Sequence, residues 1–379
     1  MKEIRRRTVR GRGSIGKAAE ICGNLGIKNP LVIGNESLVA RLMKKNPVLL
    51  SSPVFSAYHP NPDLQDAEPA AEIFRRQKCD GLISVGGGSA MDTAKAVKAV
   101  LYAGNAEKAS GGFFPEHMET PHLAIPGTAG TGAEATGNAV VYLNERKISL
   151  SHPDLRPDSA ILDADLLDSL PLYHRKSAAL DALCQGIESY WCAGATEESR
   201  VHAFLAIIGV LDNLKAYLDG EVHAAEEMMD AAYQSGKAIQ ITRTTAAHAM
   251  SYQLTKMLGI AHGHACMLTL PVLWEMMLDR EEMAETLRDL SSKMRLGNPQ
   301  LVPELLRGIL YDLEMDIPPM PAEETLDRLA DSVNTERLGN HPVPMTCEDV
   351  KEAYRRSFEL LCGVKRQTCI DIWRYYNEG

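Results

Sequence analysis

The residues best suited to chemistry fall into two groups. Asp181 and Gln185 are four apart, so on a helix they share one face, one turn apart. His248 lies in an apolar helical stretch. His262 follows a helix end expected at Gly259 and opens the run His262-Gly263-His264. A carboxylate, an amide oxygen and two imidazoles can together hold one divalent cation. Taken singly, such an Asp serves equally as a solvated or capping group, and such a His as a hydrogen-bonded core residue.

The second group is the run Val85-Gly86-Gly87-Gly88-Ser89-Ala90-Met91-Asp92-Thr93-Ala94-Lys95, after an apolar strand and at the start of a helical pattern. Glycines let the backbone approach a ligand, and free amides at a helix start favour an anion such as a pyrophosphate. The spacing is not G-x-G-x-x-G, so alone it means an anion at a helix start, or a tight turn capped by Ser89. Thr128-Ala-Gly-Thr-Gly132 follows the next strand, and its hydroxyls and glycines can wrap the same phosphates or a ribose, or form an ordinary polar loop.

The elements that must position these groups change character along the chain. Leu31–Gly34, Gly81–Val85, His122–Ile125 and Ser159–Leu162 read as buried strands, with a helical pattern at Ala67–Gln77. Val140–Leu143 and Lys147–Leu150 flank a turn and suggest a hairpin. Alternating strands and helices predict a parallel sheet whose C-terminal loops share one edge. From about Leu166, 3.6-residue periodicity dominates: Ser177–Tyr190, Ser199–Leu218, Ala224–Gln240 and Thr245–Leu258. The expectation is an α/β Rossmann-like parallel-sheet domain over residues 1–165 and an all-α domain over residues 166–379. A cleft between two such halves is the usual place for a ligand.

Composition narrows the function class. The 379 residues carry 40 Lys and Arg against 50 Asp and Glu, a net charge of −10, which disfavours nucleic acid or an anionic membrane as the main partner. There is no run of 18 uncharged apolar residues, so no membrane span is expected. Eight scattered cysteines do not read as a disulfide framework, and a cytoplasmic setting is expected. Arg5, Arg6, Arg7, Arg10 and Arg12 precede no apolar segment and read as a solvated, charged edge rather than an anion or targeting patch.

As an ordered set these segments resemble the iron-containing (group III, metal-dependent) alcohol dehydrogenase family. The carriers are Gly86–Lys95, Pro126-Gly-Thr-Ala-Gly-Thr-Gly-Ala-Glu134, Asp158-Ser-Ala-Ile-Leu-Asp163, Asp181-Ala-Leu-Cys-Gln185, and His248 through His262-Gly263. The resemblance extends to about residue 275 and weakens beyond. It implies the dehydroquinate synthase-like architecture of that family and reversible aldehyde or ketone reduction by NAD(P)H, with one divalent metal, Fe²⁺ or Zn²⁺. It implies metal ligands at Asp181, Gln185, His248 and His262. The second is His in the family, and Gln185 offers a neutral oxygen that weakens a site for a borderline metal. The implied cofactor residues are Asn35, Gly87, Gly88, Ser89, Asp92, Thr128, Thr131 and Lys147. Many NAD-preferring relatives have Asp where this chain has Asn35. Asn does not repel a 2′-phosphate, so NADPH is permitted beside NADH.

The segments Asp181–Trp191, Thr242–Tyr252 and His262–Ala265 look like the branch containing phosphonoacetaldehyde and sulfoacetaldehyde reductases, which reduce a two-carbon aldehyde with an anionic head. Arg243 and His264 then offer donors to that head, although Arg243 serves equally as a helix-start ion-pair partner. Tyr252 stands where the family tends to carry a second helical His. It becomes a proton relay, or a core Tyr with a satisfied hydroxyl. The expected partners are a small aldehyde or alcohol and further copies of the chain. Competing readings are a general short-chain alcohol dehydrogenase, a glycerol dehydrogenase or a dehydroquinate-synthase-like lyase, and a non-catalytic nucleotide-binding relative whose metal site has lapsed at Gln185. Replacing His262 by Ala is expected to abolish metal retention and turnover, read by metal analysis and NAD(P)H oxidation. Unchanged activity would remove the metal from the mechanism.

Overall fold

Short apolar runs bounded by Gly and Pro become the strands of the first of two units. In the computed structural model, residues 7–144, 146–315, 317–333, 338–361 and 366–378 are described. Contacts divide the chain into Met1–Leu170 with Glu221–Gly236, and Pro171–Gly220 with Lys237–Gly379.

In the first unit β1 (Arg7–Arg10), β2 (Pro30–Gly34), β3 (Val54–Phe55), β4 (Gly81–Gly86), β5 (His122–Pro126) and β8 (Ser159–Leu162) form one sheet. Its order is β1-β8-β5-β4-β2-β3, with every pairing parallel. Every residue of β2, β4, β5 and β8 is buried, as a parallel sheet covered on both faces requires. Leu31, Ile33 and Leu82 enter one apolar cluster, and Val32, Ile83 and Val85 the other. Helices α1 (Ala18–Leu25), α2 (Glu36–Lys45), α3 (Ala67–Arg76), α4 (Gly88–Ala103) and α5 (Ala106–Ser110) accompany the strands, and β6 (Asn138–Leu143) pairs antiparallel with β7 (Arg146–Ser151).

Two features depart from the sequence reading. Of the N-terminal arginines, Arg5 and Arg6 lie outside the described residues, while Arg10 and Arg12 are not merely a solvated edge: β1 is the edge strand beside β8, Arg10 Nε donates to Asp230 Oδ1 at 2.7 Å, and Arg12 donates to Asp165 Oδ1 at 2.9 Å. Charges suit a strand with one unpaired edge, and they hide its apolar alternation. Strand β3 is two residues long, too short to show periodicity.

The second unit is helical: α6 (Leu172–Trp191), α7 (Glu197–Leu218), α9 (Ala246–Leu258), α10 (His262–Leu278), α11 (Ala284–Lys293), α12 (Val302–Asp312), α13 (Glu323–Asp331), and two further helices over Cys347–Leu361 and Arg366–Glu378. Helix α8 (Val222–Thr242) has its first residues in the first unit and its last in the second. By length and composition α7 meets the requirement for crossing a membrane, which the absence of an uninterrupted 18-residue apolar run did not anticipate. Here it buries Ala203, Ala206, Ile207 and Val210 and packs on α6. Gly186 permits that approach, since a Cβ there would lie 2.9 Å from Ile207. Gly263 does the same for α10 on α6: a Cβ would stand 2.0 Å from the Ser177 carbonyl oxygen and 2.7 Å from Asp181 N.

Within the first unit, Gly132 (φ 58°) meets Gly236 of α8, where a Cβ would fall 2.5 Å from the Gly236 backbone. This contact seats the Thr128–Gly132 loop. Gly132→Ala combines overpacking with an unfavourable positive φ, and is expected to cost at least about 2 kcal/mol of unfolding free energy. Urea unfolding of the full chain checks this, and an unchanged midpoint would deny the contact its role.

Candidate metal centre and dinucleotide loops

Adjacent strands β4 and β5 put both glycine loops on one edge of the first unit. Gly127 N donates to Gly86 O at 2.7 Å, which ties the loops together. Gly86 has φ 149°, outside the range side chains favour. A Cβ on Gly87 would lie 3.3 Å from Thr128 Cγ2, and one on Gly88 would lie 3.0 Å from Thr131 Cγ2. Gly87 is the residue before α4 and no side chain caps that end. Ser89 is therefore not the cap: it lies inside the first turn, and its Oγ accepts from Asn61 N at 3.3 Å. The open amide end of a 16-residue helix, walled by two Thr hydroxyls, has the character of a phosphate cradle.

The other expected cofactor residues are placed as follows. Asn35 follows β2 and caps α2, its Oδ1 accepting from Ser37 N at 3.0 Å and from Ser37 Oγ at 2.7 Å. Asp92 Oδ2 accepts from Val140 N at 3.0 Å, so its carboxylate anchors the hairpin. Lys147 lies on β7 opposite Tyr142, half-buried. Lys95, given no role by the sequence reading, is fully buried and donates to Ala133 O, Thr136 Oγ1 and Asn138 O at 2.8, 3.0 and 2.7 Å. It pins the end of the second loop to α4. Burial pushes its pKa down against the charges of Asp92 and Glu134. Glu134 is also buried, and burial pushes its carboxyl up to about 7.

In the second unit α6, α9 and α10 bring Asp181, His248, His262 and Cys266 together. One donor atom from each lies within 4.8 Å of the others. His248 Nε2 is 3.1 Å and His262 Nε2 3.8 Å from Asp181 Oδ1, and Cys266 Sγ is 3.9 Å from His262 Nε2. A tetrahedral ion with bonds of about 2.0–2.3 Å has ligand–ligand edges of about 3.3–3.8 Å, so the donors are spaced for one cation. Asp181 and Gln185 do share a face of α6, and Gln185 hydrogen-bonds the Asp181 carboxylate. Cys266 and Glu188 were missed. Each sits whole turns from an expected ligand, Cys266 four after His262 and Glu188 seven after Asp181, and that spacing was the available signal.

Glu188 organises the centre. Its Oε2 accepts from His248 Nδ1, while Oε1 accepts from Thr245 N, Thr245 Oγ1, Ala247 N and His248 N at the start of α9. A donating Nδ1–H leaves the His248 Nε2 lone pair facing Asp181. Ser251 Oγ donates to His248 O at 2.9 Å and so accepts from His262 Nδ1 at 3.2 Å, which turns the His262 Nε2 lone pair inward. Burial raises the carboxyl pKa of Asp181, but hydrogen bonding from His248 and the charge of His262 outweigh it and the net direction is down. Glu188 is likewise drawn down by His248 against its burial. Burial opposes charge on His248, yet Cys266, Glu188 and Asp181 lift it well above its ordinary value. Burial pushes the Cys266 thiol up, and the two histidines bring it to about 7. A buried cluster that holds positive charge this strongly is one a cation fits.

Tyr252 stacks on His262 with ring centroids 5.1 Å apart, half-buried. His264 is fully buried, its Nδ1 3.2 Å from Tyr173 Oη and its backbone N donating to Ser177 Oγ. Two residues on from His262, it points away from the face that carries the donors. Arg243 is exposed and sits at the break between α8 and α9 with φ 70°, not on a continuous helical turn before His248.

The sequence profile of iron-containing alcohol dehydrogenases matches residues 5–164, and the C-terminal profile of the Fe-containing alcohol dehydrogenase family matches residues 176–358. Phosphonoacetaldehyde reductase of Streptomyces viridochromogenes is 38% identical over 228 residues, 56% of this chain and 57% of that relative. Lactaldehyde reductase of Escherichia coli is 28% identical over 376 residues, 92% of this chain and 97% of the relative. Among solved structures, sulfoacetaldehyde reductase from Bifidobacterium kashiwanohense in complex with NAD+ superposes with a TM-score of 0.86 at 26% identity, covering 93% of this chain and 97% of that one.

The Glu134 carboxyl gives a pH test. Its ordinary value is 4.5 and its folded value about 7. Between these the folded state holds the extra proton, so stability falls as pH rises, by about 3 kcal/mol in all. Glu134→Gln removes the titration. The variant is expected to exceed the parent by up to about 3 kcal/mol at pH 8, with the difference closing at pH 4. Urea unfolding across that range checks it, and parallel pH profiles would show that folding does not shift the Glu134 carboxyl.

Proposed function

The chain belongs to the iron-containing alcohol dehydrogenase family, and on that footing we propose that it is a metal-dependent NAD(P)H reductase of short aldehydes bearing an anionic head, phosphonoacetaldehyde or sulfoacetaldehyde. The observation that carries the reading is the convergence of Asp181, His248 and His262 from three helices on one cation-sized space.

Asp181, His248 and His262 would hold a divalent cation, whose chemistry would be Lewis-acid polarisation of a carbonyl, and the glycine loops would hold a nicotinamide dinucleotide, whose chemistry would be hydride supply. The chain's own residues do the rest. Glu188 and Ser251 fix the two imidazole tautomers, so both histidines present lone pairs inward. Gly87 and Gly88 admit the pyrophosphate beside Thr128 and Thr131. Asn35, neutral and engaged with Ser37, sets no charge against a 2′-phosphate, so both nicotinamides are admitted. Tyr252, stacked on His262, hands the product oxygen its proton and recovers one from solvent.

The anionic head needs a cation. The amides at the start of α9 are taken by Glu188, and His264 is packed against Tyr173. Arg243 is exposed at the same helix start. A cavity of about 480 Å³ beside α9 adds Lys256 and Arg328, with Gln253 and Asp331. Lys256 lies one turn after Tyr252, on the same face of α9. These three basic side chains support the anionic-head reading. The convergence of Asp181, His248 and His262 speaks against a lapsed metal site.

The test is a screen of phosphonoacetaldehyde, sulfoacetaldehyde, succinate semialdehyde and unbranched aldehydes with both nicotinamides after metal loading. Charged two-carbon aldehydes are expected to lead in kcat/KM by at least about 10-fold, as one charge-assisted hydrogen bond supplies. Lys256→Ala should raise KM about 5-fold for those alone. Equal rates with unbranched aldehydes would make the chain a general short-chain alcohol dehydrogenase. No nicotinamide oxidation with any metal would make it a non-catalytic relative.

A further inference from the structure

Cys266 takes no part in the chemistry above, yet it lies in the donor cluster. It follows His262 by one turn of α10, so both side chains leave the helix on one face. Its sulfur is 3.9 Å from His262 Nε2 and within 4.8 Å of the donors of Asp181 and His248. The residue is completely buried. Gln185, the position where the family resemblance implies a third imidazole, instead hydrogen-bonds the Asp181 carboxylate. The helix that would supply the missing donor thus supports an existing one, and the vacancy is faced by a sulfur from a different helix.

We propose that Cys266 is a resident metal ligand, so that the centre is Asp181 O, His248 N, His262 N and Cys266 S, with Gln185 positioning Asp181. The assignment rests on the same cation as the functional reading. On binding, the Cys266 S–H bond breaks, its proton leaves to solvent, and the sulfur lone pair goes to the ion, with no change of oxidation state. One carboxylate, one thiolate and two neutral imidazoles then cancel a divalent charge, which a buried site favours. A thiolate is a softer donor than the imidazole it replaces. The centre therefore prefers Zn²⁺ or Co²⁺ over Fe²⁺ to a greater degree than an oxygen- and nitrogen-only set.

The probe is Co²⁺ titrated into chelator-stripped full-length protein and followed by absorption, with NADH oxidation measured in parallel. The expected result is one Co²⁺ per chain with an intense near-ultraviolet thiolate-to-cobalt band. Cys266→Ser should lose the band and bind Co²⁺ at least about 100-fold more weakly, because loss of a ligand exceeds loss of a supporting partner. Cys184→Ala, at the neighbouring buried thiol, should keep the band. Circular dichroism controls for folding, and Cys266→Ser with Gln185→His should recover tight binding without the band. Co²⁺ bound without the band, or a band untouched by Cys266→Ser, overturns the assignment even where aldehyde is reduced. A band that follows Cys266 upholds it even where no aldehyde is reduced, in which case the functional reading alone falls.

Discussion

The candidate centre depends on one steric constraint, the absence of a side chain at Gly263. The backbone of α10 runs so close to α6 that a single carbon at that position would overlap the Ser177 carbonyl. Interiors pack at crystal-like density and cannot absorb such an overlap without moving a helix. Because α10 lies against α6 there, the face of α10 that carries His262 and Cys266 is brought to Asp181. His262 arrives from one flank, and one turn later Cys266 follows. A helix displaced by the width of a methyl group would part donors that now stand 3 to 4 Å apart.

Glu188 is the second constraint, and it is electrostatic. One carboxylate closes the amide end of α9 and orients the His248 ring. Tying helix start and imidazole to the same group fixes the rotation of α9 about its axis as well as the ring tautomer, so Tyr252 one turn further on comes to lie over His262. A fully buried carboxylate is costly unless every lone pair is used, and here hydrogen bonds from four donors on the helix start and one from the ring use them.

Much of this was legible in the sequence because the signals were local. Strands β2, β4, β5 and β8 announced themselves as apolar runs, and the glycines after β4 marked a helix start open to a ligand. What escaped was non-local or ambiguous in residue type. A buried Cys is ordinarily a small core residue, so Cys266 had no reason to stand out until His262 beside it faced Asp181. Glu188 in a helix reads as surface charge until the start of a distant helix is found on it. Lys95 was passed over for a similar reason, since beyond its i,i+3 pairing with Asp92 it donates to three backbone and hydroxyl oxygens on another segment, which leave no local signature. Arg243 falls between the two helical stretches expected at Ala224–Gln240 and Thr245–Leu258, and its positive φ marks the break there.

The division of the chain also bears on how it is made. Glu221–Gly236 belongs to the same unit as the N-terminal sheet, although Pro171–Gly220 lies between them and belongs to the other. On the ribosome, the sheet emerges long before the glycine at 236 that seats its Thr128–Gly132 loop. The loop contact therefore stays unmade until Pro171–Gly220 of the helical unit has been synthesised, and no single cut in the gene separates the two halves intact.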